Sequence, residues 1–174
     1  MGLPRLHPPI GFTVDFIWRY DSPLGCITLA GEGPALTGLS LPGQRAATGV
    51  ERWLPVFGDA CRWLDDYFSG KVPDFTPQLD LRGTPFRKDV WEILLGIPYG
   101  QTVSYGEVAE SVARKRGVPR MSAQAVGGAV GHNPVSIIVP CHRVIGADGS
   151  LTGYGGGLDL KHFLLGLEGI GVED

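Results

Sequence analysis

The segment that most constrains this chain is the apolar run Ile-Ile-Val at residues 137–139, which leads into Pro-Cys-His-Arg at residues 140–143. The run predicts a buried extended segment, and Pro140 fixes one backbone angle directly before Cys141. The sequence Gly-Ala-Asp-Gly at residues 146–149 predicts a turn just after it. A thiol held rigidly beside an imidazole is typical of a nucleophile, because the thiolate is the reactive form of cysteine.

The bulk composition is that of a globular, water-soluble protein. Of the 174 residues, 43% are hydrophobic and 19% are charged. No apolar stretch is long enough to cross a bilayer, and the first residues do not follow a signal-peptide pattern, so we expect no membrane partner. Three cysteines without regular spacing favour a reducing compartment over a disulfide framework, and we therefore expect a cytoplasmic protein.

The charge is distributed unevenly, although the net charge is only −3. Residues 111–147 contain neither Asp nor Glu. The basic residues of that stretch are Arg114, Lys115, Arg116, Arg120 and Arg143. A solvated basic loop is the simplest interpretation. Because the stretch leads into the cysteine motif, a surface that binds a polyanion is the second.

The first part of the chain predicts a small α/β unit. Residues 14–20 alternate as a strand does, residues 21–25 indicate a turn, and residues 26–30 indicate a returning strand. A third strand is expected near residues 35–41. Apolar residues at helical spacing then predict an amphipathic helix that begins near Trp53 and ends at Gly70. Residues 71–83, with two prolines, are the best candidate for a linker.

The second part is predicted to be mostly helical. An apolar stripe predicts a helix from Phe86 that ends at residues 97–100, and Ser104 with Glu107 forms a capping box at the start of the next helix. Ser122 is expected to cap a further helix over residues 123–131. Two short helices joined by a turn suggest a helix-turn-helix.

Two glycines, Gly127 and Gly128, lie inside the second helix of that pair, where each costs roughly 1 kcal/mol relative to alanine. Two explanations remain open. The glycines allow close packing against another helix, or they allow the helix backbone to approach a ligand closely.

These motifs form an ordered set that is dense from about Asp65 to Gly169. The segments are residues 21–25, 83–86, 90–91, 97–100, 104–107, 125–129, 133–134, 140–144 and 153–157, together with Lys161, Leu164, Leu165 and Glu168. With this set the chain resembles the O6-alkylguanine-DNA alkyltransferases. That family removes alkyl groups from O6 of guanine in double-stranded DNA and transfers them irreversibly to its own cysteine.

The resemblance implies a fold of two lobes. Residues 1–79 are expected to form an N-terminal α/β domain, ribonuclease-H-like, with a small antiparallel sheet and a helix. Residues 80–174 are expected to form a mostly α-helical alkyltransferase domain with a winged helix-turn-helix-like DNA-binding motif. The protein is expected to act as a monomer on duplex DNA that carries O6-alkylguanine.

The resemblance also implies the roles of the catalytic residues. Cys141 is the alkyl acceptor, His142 acts as its base through a water molecule, and Glu168 orients and polarises His142. The target base must be flipped out of the duplex. The Tyr105 hydroxyl donates to the ring of the departing guanine, and Asn133 braces the cysteine loop.

The guanine pocket and the DNA surface follow from the same resemblance. Backbone groups of Cys141, Val144 and Gly155 are expected to bind the guanine edge, and Tyr154 to shape the pocket. The second helix is expected to enter the minor groove. The expected DNA contacts are Gln124, Ala125, Gly127, Gly128, Arg116, Arg120 and Arg143.

This chain departs from known relatives at three places. Gln124 stands where well-known relatives carry the arginine that fills the gap left by the flipped base, so Arg120 is expected to supply part of the missing charge. The loop at residues 114–121 is longer than in some relatives. Glu32 and Thr37 stand where two ligands of a structural zinc would lie, so no metal is expected. The family resemblance implies no cofactor.

The remaining cysteines and the tryptophans are interpreted as core residues. These are Cys26, Cys61, Trp18, Trp53, Trp63 and Trp91.

Three alternative functions differ in their sequence requirements. A non-catalytic relative that binds alkylated DNA lacks the acceptor cysteine, which is present here. A regulator that joins alkyltransferase and helix-turn-helix functions carries a four-cysteine zinc domain, which three cysteines cannot supply. A cysteine hydrolase fits poorly with adjacent Cys and His residues beside a DNA-binding module.

Overall fold

The computed structural model describes residues 15–171 and begins with a four-stranded sheet. Its strands are β1 (Phe16–Ser22), β2 (Gly25–Glu32), β3 (Ala35–Ser40) and β4 (Val50–Glu51), in the order β3-β2-β1-β4. The three predicted strands pair antiparallel, although Val14, the predicted first residue of the sheet, lies outside the described residues. The sheet as a whole is mixed, because β4 pairs parallel with β1. Its two residues are too few to show an alternating pattern.

The predicted first helix is α1 (Pro55–Phe68), which begins two residues after Trp53. It packs against the sheet through the buried residues Val56, Phe57, Ala60, Trp63, Leu64 and Tyr67. Proline suits its first turn, where the backbone N–H has no partner within the helix. The chain then turns at Gly70, whose φ of +83° favours glycine.

Two of the residues interpreted as core do not lie there. Trp53 is 48% exposed and packs edge-on against Trp18 with ring centroids 5.1 Å apart, because it precedes the helix instead of joining its apolar stripe. Cys26 is exposed near the turn between β1 and β2, opposite Asp21. Those two expectations were wrong, whereas Trp63 and Trp91 are buried.

The connection at residues 71–83 is fixed along the edge of the sheet. The N–H of Leu36 donates to Gln78 O at 2.8 Å, and the N–H of Asp80 donates to Leu36 O at 2.9 Å. Arg82 bonds Asp15 at 3.2 Å and also pairs with Glu32. The predicted linker is thus an ordered strap. The boundary between residues 79 and 80 stays a prediction.

Between residues 80 and 171 the structure describes four α-helices, α2 (Pro85–Leu95), α3 (Tyr105–Arg116), α4 (Ala123–Gly131) and α5 (Leu158–Leu167). The predicted capping box is present: the Glu107 N–H donates to Ser104 Oγ at 3.1 Å, and the Ser104 N–H donates to Glu107 Oε2 at 2.7 Å. Ser122 caps α4 by accepting from the Ala125 N–H at 3.2 Å. No helix within residues 15–171 is long and apolar enough to cross a membrane.

The helix pair α3 and α4 is joined by residues 117–122 and packs against α2. The indole N–H of Trp91 on α2 donates to Ala129 O on α4 at 2.8 Å, which ties the two helices together. Beside this group lies a two-stranded parallel sheet of β5 (Val103–Ser104) and β6 (Val144–Ile145). Arg114, Lys115 and Arg116 belong to the last turn of α3, so the predicted basic loop is shorter than expected.

The segment before Cys141 is joined to the edge of the four-stranded sheet. The N–H of Leu39 on β3 donates to Pro134 O at 2.9 Å, and the N–H of Ser136 donates to Leu39 O at 3.1 Å. Leu39, Val135 and Val139 belong to one continuous hydrophobic core that includes residues of both halves. The first half of the chain therefore helps to position the cysteine.

The apolar run itself is buried but not extended, so the predicted extended segment was wrong. The Val139 N–H donates to Val135 O at 3.0 Å across a turn, and Ile137 has a φ of +70°. A left-handed conformation is unusual for a β-branched residue and stores backbone strain next to the site. A short apolar run does not by itself distinguish a strand from a buried turn.

Candidate active site around Cys141

Cys141 begins a single 3-10 turn (Cys141–Arg143) and is only 5% exposed. Its backbone N–H donates to Val139 O at 2.8 Å, and the N–H of Arg143 donates to Pro140 O at 3.0 Å. The thiol is free. The turn therefore holds a free thiol inside the protein in a fixed backbone geometry.

Asn133, whose bracing role was implied by the family resemblance, links the end of α4 to the cysteine turn. Its Nδ2 donates to Val139 O at 2.7 Å, and its Oδ1 accepts from the Val135 N–H at 3.0 Å. Both ends of the amide are thus used on the segment that carries Cys141. A shift of α4 would be transmitted to the thiol through this side chain.

His142 and Glu168 form a buried pair behind the cysteine. The His142 Nε2 lies 2.5 Å from Glu168 Oε2, and neither side chain is exposed. Burial alone would raise the pKa of Glu168. The hydrogen bond from His142, the charge of that ring once it is protonated at low pH, and the hydrogen bonds from Arg143 and the Gly100 N–H outweigh burial and lower that pKa to about 2. Glu168 is therefore ionised at neutral pH.

The protonation of His142 follows from this partner. Burial lowers the pKa of His142, despite the opposing attraction of Glu168, so the ring is neutral at pH 7. An ionised carboxylate only accepts hydrogen bonds, so the single ring proton is assigned to Nε2. Nδ1 then carries a free lone pair, and it is buried without a hydrogen-bond partner among the described residues. This nitrogen is the basic atom of the site.

Arg143 does not face DNA, and that expectation was wrong. Its side chain is buried, with Nε donating to Glu168 Oε1 at 2.7 Å and Nη1 donating to Ile97 O at 2.8 Å. Its guanidinium also lies 5.7 Å from the centroid of the Tyr99 ring. A basic residue in sequence is normally exposed, and only the buried carboxylate of Glu168 makes this inward position favourable.

The thiol of Cys141 is influenced by groups that act in opposite directions. Burial raises its pKa, whereas hydrogen bonding from Asn133 and the positive charge of Lys161 lower it. The net direction is upward. The sulfur is therefore a protonated thiol at neutral pH and needs a base before it can act as a nucleophile.

Lys161 is a functional candidate to which the sequence assigned no role. It is fully buried on α5, and its Nζ donates to Val144 O at 2.6 Å and to Thr152 O at 3.3 Å. A buried cation near a thiol favours the thiolate. Because most lysines lie on the surface, its position in an apolar helix gave no signal beyond the match to the family pattern.

The four remaining predicted pocket residues lie at the start of α3, on β6 and in the loop before α5. Tyr105 is half-buried and donates to Thr152 O at 3.2 Å, while the Tyr154 hydroxyl is buried near Cys141. Burial raises the pKa of both phenols, so each keeps its proton at neutral pH. Gly155 is exposed, and Val144 is buried with its N–H bonded to Cys141 O.

The outer face of α4 is open along the predicted DNA contacts. Gln124, Ala125 and Gly128 are exposed. A Cβ atom on Gly128 would meet nothing within 4 Å, and one on Gly127 would come only to 3.9 Å of the Tyr105 ring. The glycines are therefore not required for packing against another helix, and the close approach of a ligand stays a prediction.

The basic residues near this face differ in their surroundings. Arg116 pairs with Asp89 at 3.1 Å and lies over the Phe86 ring, and Lys115 pairs with both Asp89 and Glu92. Their charge is partly neutralised by α2. Arg120 is exposed in the loop between α3 and α4.

No cluster of three or more His, Cys, Asp and Glu side chains suited to a metal ion occurs within residues 15–171. At the two positions considered for zinc, Glu32 pairs with Arg82 and Thr37 is buried.

Comparison with known proteins identifies the family to which both parts of the chain are similar. Residues 85–170 match the family described as 6-O-methylguanine DNA methyltransferase, DNA binding domain. Residues 19–81 match the ribonuclease-like domain of the same family.

The curated relatives and solved structures agree. The methylated-DNA–protein-cysteine methyltransferase of Mycobacterium bovis is 52% identical over 151 residues, which is 85% of this chain and 88% of that protein. The Methanosarcina acetivorans protein of the same name is 46% identical over 154 residues, which is 86% of this chain and 96% of that protein. The crystal structure of Mycobacterium tuberculosis OGT in complex with DNA superposes with a TM-score of 0.77 at 50% identity. The match covers 86% of this chain and 90% of that chain.

The fold and the buried Cys-His-Glu arrangement thus define a cysteine-dependent methyltransferase of the DNA-repair class. The chain belongs to the 6-O-methylguanine DNA methyltransferase family.

Proposed function

We propose that this protein repairs DNA by transferring the alkyl group of O6-alkylguanine to its own Cys141. The observation that carries the proposal is the buried thiol in the same turn as a neutral histidine whose Nε2 is held by the ionised Glu168. Burial limits the reaction of such a thiol with alkylating agents in solution, and a base within the protein activates it.

The first step is removal of the thiol proton. The proton passes from Cys141 through a water molecule to Nδ1 of His142, and the imidazolium that forms is stabilised by Glu168. Lys161 favours the thiolate by its charge, and the hydrogen bond from Asn133 acts in the same direction. Together they counteract the burial that keeps the sulfur protonated.

The second step is the transfer itself. The thiolate forms a bond to the alkyl carbon, the bond from that carbon to O6 breaks, and its electron pair goes to the guanine. The Tyr105 hydroxyl gives its proton to the guanine ring, so that the base leaves neutral, and the proton taken up by His142 then passes through solvent to the Tyr105 phenolate. The S-alkyl product is a thioether with no leaving group for water, so the protein acts once.

The pocket is closed by groups close to the sulfur. Tyr154 borders the thiol from the loop before α5, and exposed Gly155 leaves its backbone free to meet the guanine edge. The backbone N–H of Val144 already donates to Cys141 O, and its backbone O already accepts from Lys161 Nζ. A guanine contact at either group would therefore be a second hydrogen bond to that group. These assignments follow the family pattern.

The DNA surface is the open face of α4. Its exposed small residues Ala125 and Gly128 let the helix approach the minor groove, and Gln124 enters the gap left by the flipped base. Arg120 and Arg116 then lie within reach of phosphates. The Mycobacterium tuberculosis relative was crystallised with DNA, which supports a DNA-bound state here. A monomeric state and a cytoplasmic location stay predictions.

Intact-protein mass spectrometry tests the proposal. After incubation with duplex DNA containing O6-methylguanine, the mass should rise by one methyl group, and peptide mapping should place that methyl on Cys141. A protein that only binds alkylated DNA, or a helix-turn-helix regulator, would bind the duplex and keep its original mass. That outcome would reject the transfer reaction.

A further inference from the structure

Tyr67 reaches the active site from the first half of the chain. It lies on α1, is completely buried, and donates its hydroxyl to Oε2 of Glu168 at 2.8 Å. The same hydroxyl lies 3.5 Å from Nε2 of His142. The family match places α1 in the ribonuclease-like domain and Cys141 in the DNA-binding domain, so this contact crosses between the two.

The hydroxyl completes the set of donors around Glu168. Oε2 accepts from Tyr67 and His142, while Oε1 accepts from Arg143 Nε at 2.7 Å and from the Gly100 N–H at 3.0 Å. Four donors fix a buried carboxylate in one orientation. Tyr67 is the donor that shares an oxygen with His142, so it decides how much of the Oε2 charge is available to the imidazole.

We propose that Tyr67 is a positioning residue for alkyl transfer, which holds Glu168 so that Nε2–H of His142 is bound and Nδ1 faces away as the base. This rests on the proposed function of the site. Because the hydroxyl belongs to α1, the first half of the chain supplies part of the catalytic machinery. It is therefore more than a support for the DNA-binding half.

The tyrosine is suited to this role because its hydroxyl does not give up its proton to Glu168 or His142. Burial, followed by the charge of Glu168, raises its pKa far above the ordinary value, so the hydroxyl keeps its proton and only donates to the carboxylate. Its ring is held by stacking on Trp63 at 5.3 Å and by an edge contact with Tyr99 at 6.1 Å. A phenylalanine at this position keeps both ring contacts.

Removing the hydroxyl should make the pair more basic. Without the donor, more negative charge on Oε2 faces His142, so the imidazolium form is stabilised and the ring takes up a proton at higher pH. The other groups that act on the ring are Arg143 from its own turn and Lys161 from α5, both of which disfavour the proton. Tyr99 faces Glu168 from the loop after α2.

The test compares Tyr67→Phe with the matched variant Tyr20→Phe. Tyr20 also donates from its hydroxyl to α1, at 2.6 Å to Asp65 Oδ1, but has no contact with Glu168. Histidine ¹⁵N chemical shifts of the full-length protein report the tautomer and protonation of His142 as a function of pH. Single-turnover methyl transfer from duplex DNA is then measured over the same pH range, with thermal unfolding as the check of folding.

Tyr67→Phe is expected to move the protonation of His142 to higher pH and to lower transfer on the acid side about tenfold, equivalent to about 1.4 kcal/mol. Tyr20→Phe should change neither. An unchanged His142 titration in Tyr67→Phe, or an equal change in both variants, would overturn the proposal. The His142 titration can be measured without any methyl transfer. If the parent protein fails to methylate Cys141, the proposed function is rejected, while the titration still decides whether Tyr67 positions His142 and Glu168.

Discussion

Nε2 of His142 lies 2.5 Å from Oε2 of Glu168, and both side chains are sealed from solvent. This contact fixes the imidazole in the tautomer that leaves Nδ1 free. It also requires Glu168 to stay ionised inside the protein, which links the stability of the fold to the protonation of one carboxylate.

The first prediction concerns acid stability. The pKa of Glu168 is lowered from 4.5 to about 2, so its contribution to stability is complete above pH 4.5 and is lost as the pH falls towards 2. Glu168→Gln should be less stable at pH 7 and should lose less further stability between pH 4.5 and 2. Urea unfolding at a series of pH values measures both. An identical loss in parent and variant across that window would show that Glu168 is not the responsible group.

The second prediction concerns Lys161. Its charge opposes the burial that raises the pKa of Cys141, so Lys161→Met should raise that pKa further. Alkylation of Cys141 by iodoacetamide at pH 7 to 8 should then slow several-fold, and peptide mapping separates this reaction from that of the exposed Cys26. The rate should recover as the pH is raised. Lys71→Met, at an exposed position, is the control. Equal alkylation rates of Cys141 in the parent and Lys161→Met would show that the charge of Lys161 does not favour the thiolate.

Elements defined by local chemistry were predictable from the sequence. The capping box at Ser104 and Glu107 and the cap at Ser122 were correct because a side chain that bonds a nearby backbone N–H leaves a short-range pattern. The turn before Cys141 was not predictable, because an apolar run has the same composition in a strand and in a buried turn.

The polar contacts of the site depend on long-range packing. Arg143 is buried because Glu168, twenty-five residues away, accepts its Nε–H, and Tyr67 lies one hundred and one residues from the same carboxylate. No motif in the sequence singled out Tyr67. Cys141 and His142 were singled out from their sequence motif and Glu168 only from the resemblance, and the structure brings His142 and Glu168 into contact.

The third prediction concerns Gln124, which is exposed in the first turn of α4. Gln124→Ala should slow repair of duplex DNA without slowing the reaction with free O6-benzylguanine, because only the duplex requires base flipping. Gln124→Arg should tighten DNA binding and steepen its salt dependence by roughly one phosphate contact. Single-turnover rates on both substrates and titrations at several salt concentrations provide the measurements. Equal slowing on both substrates would place Gln124 in the chemistry of transfer instead.

The stoichiometry of repair tests the central claim most directly. A known amount of protein is incubated with an excess of duplex DNA containing O6-methylguanine, and the methyl groups removed are counted over time, with Cys141→Ala as the control. The thioether formed on Cys141 has no leaving group that water or His142 can displace, so removal should level off at or below one methyl group per chain. Cys141→Ala should bind the lesion and remove none. Continued removal beyond one per chain, or any removal by Cys141→Ala, would contradict a single-use transfer to this cysteine.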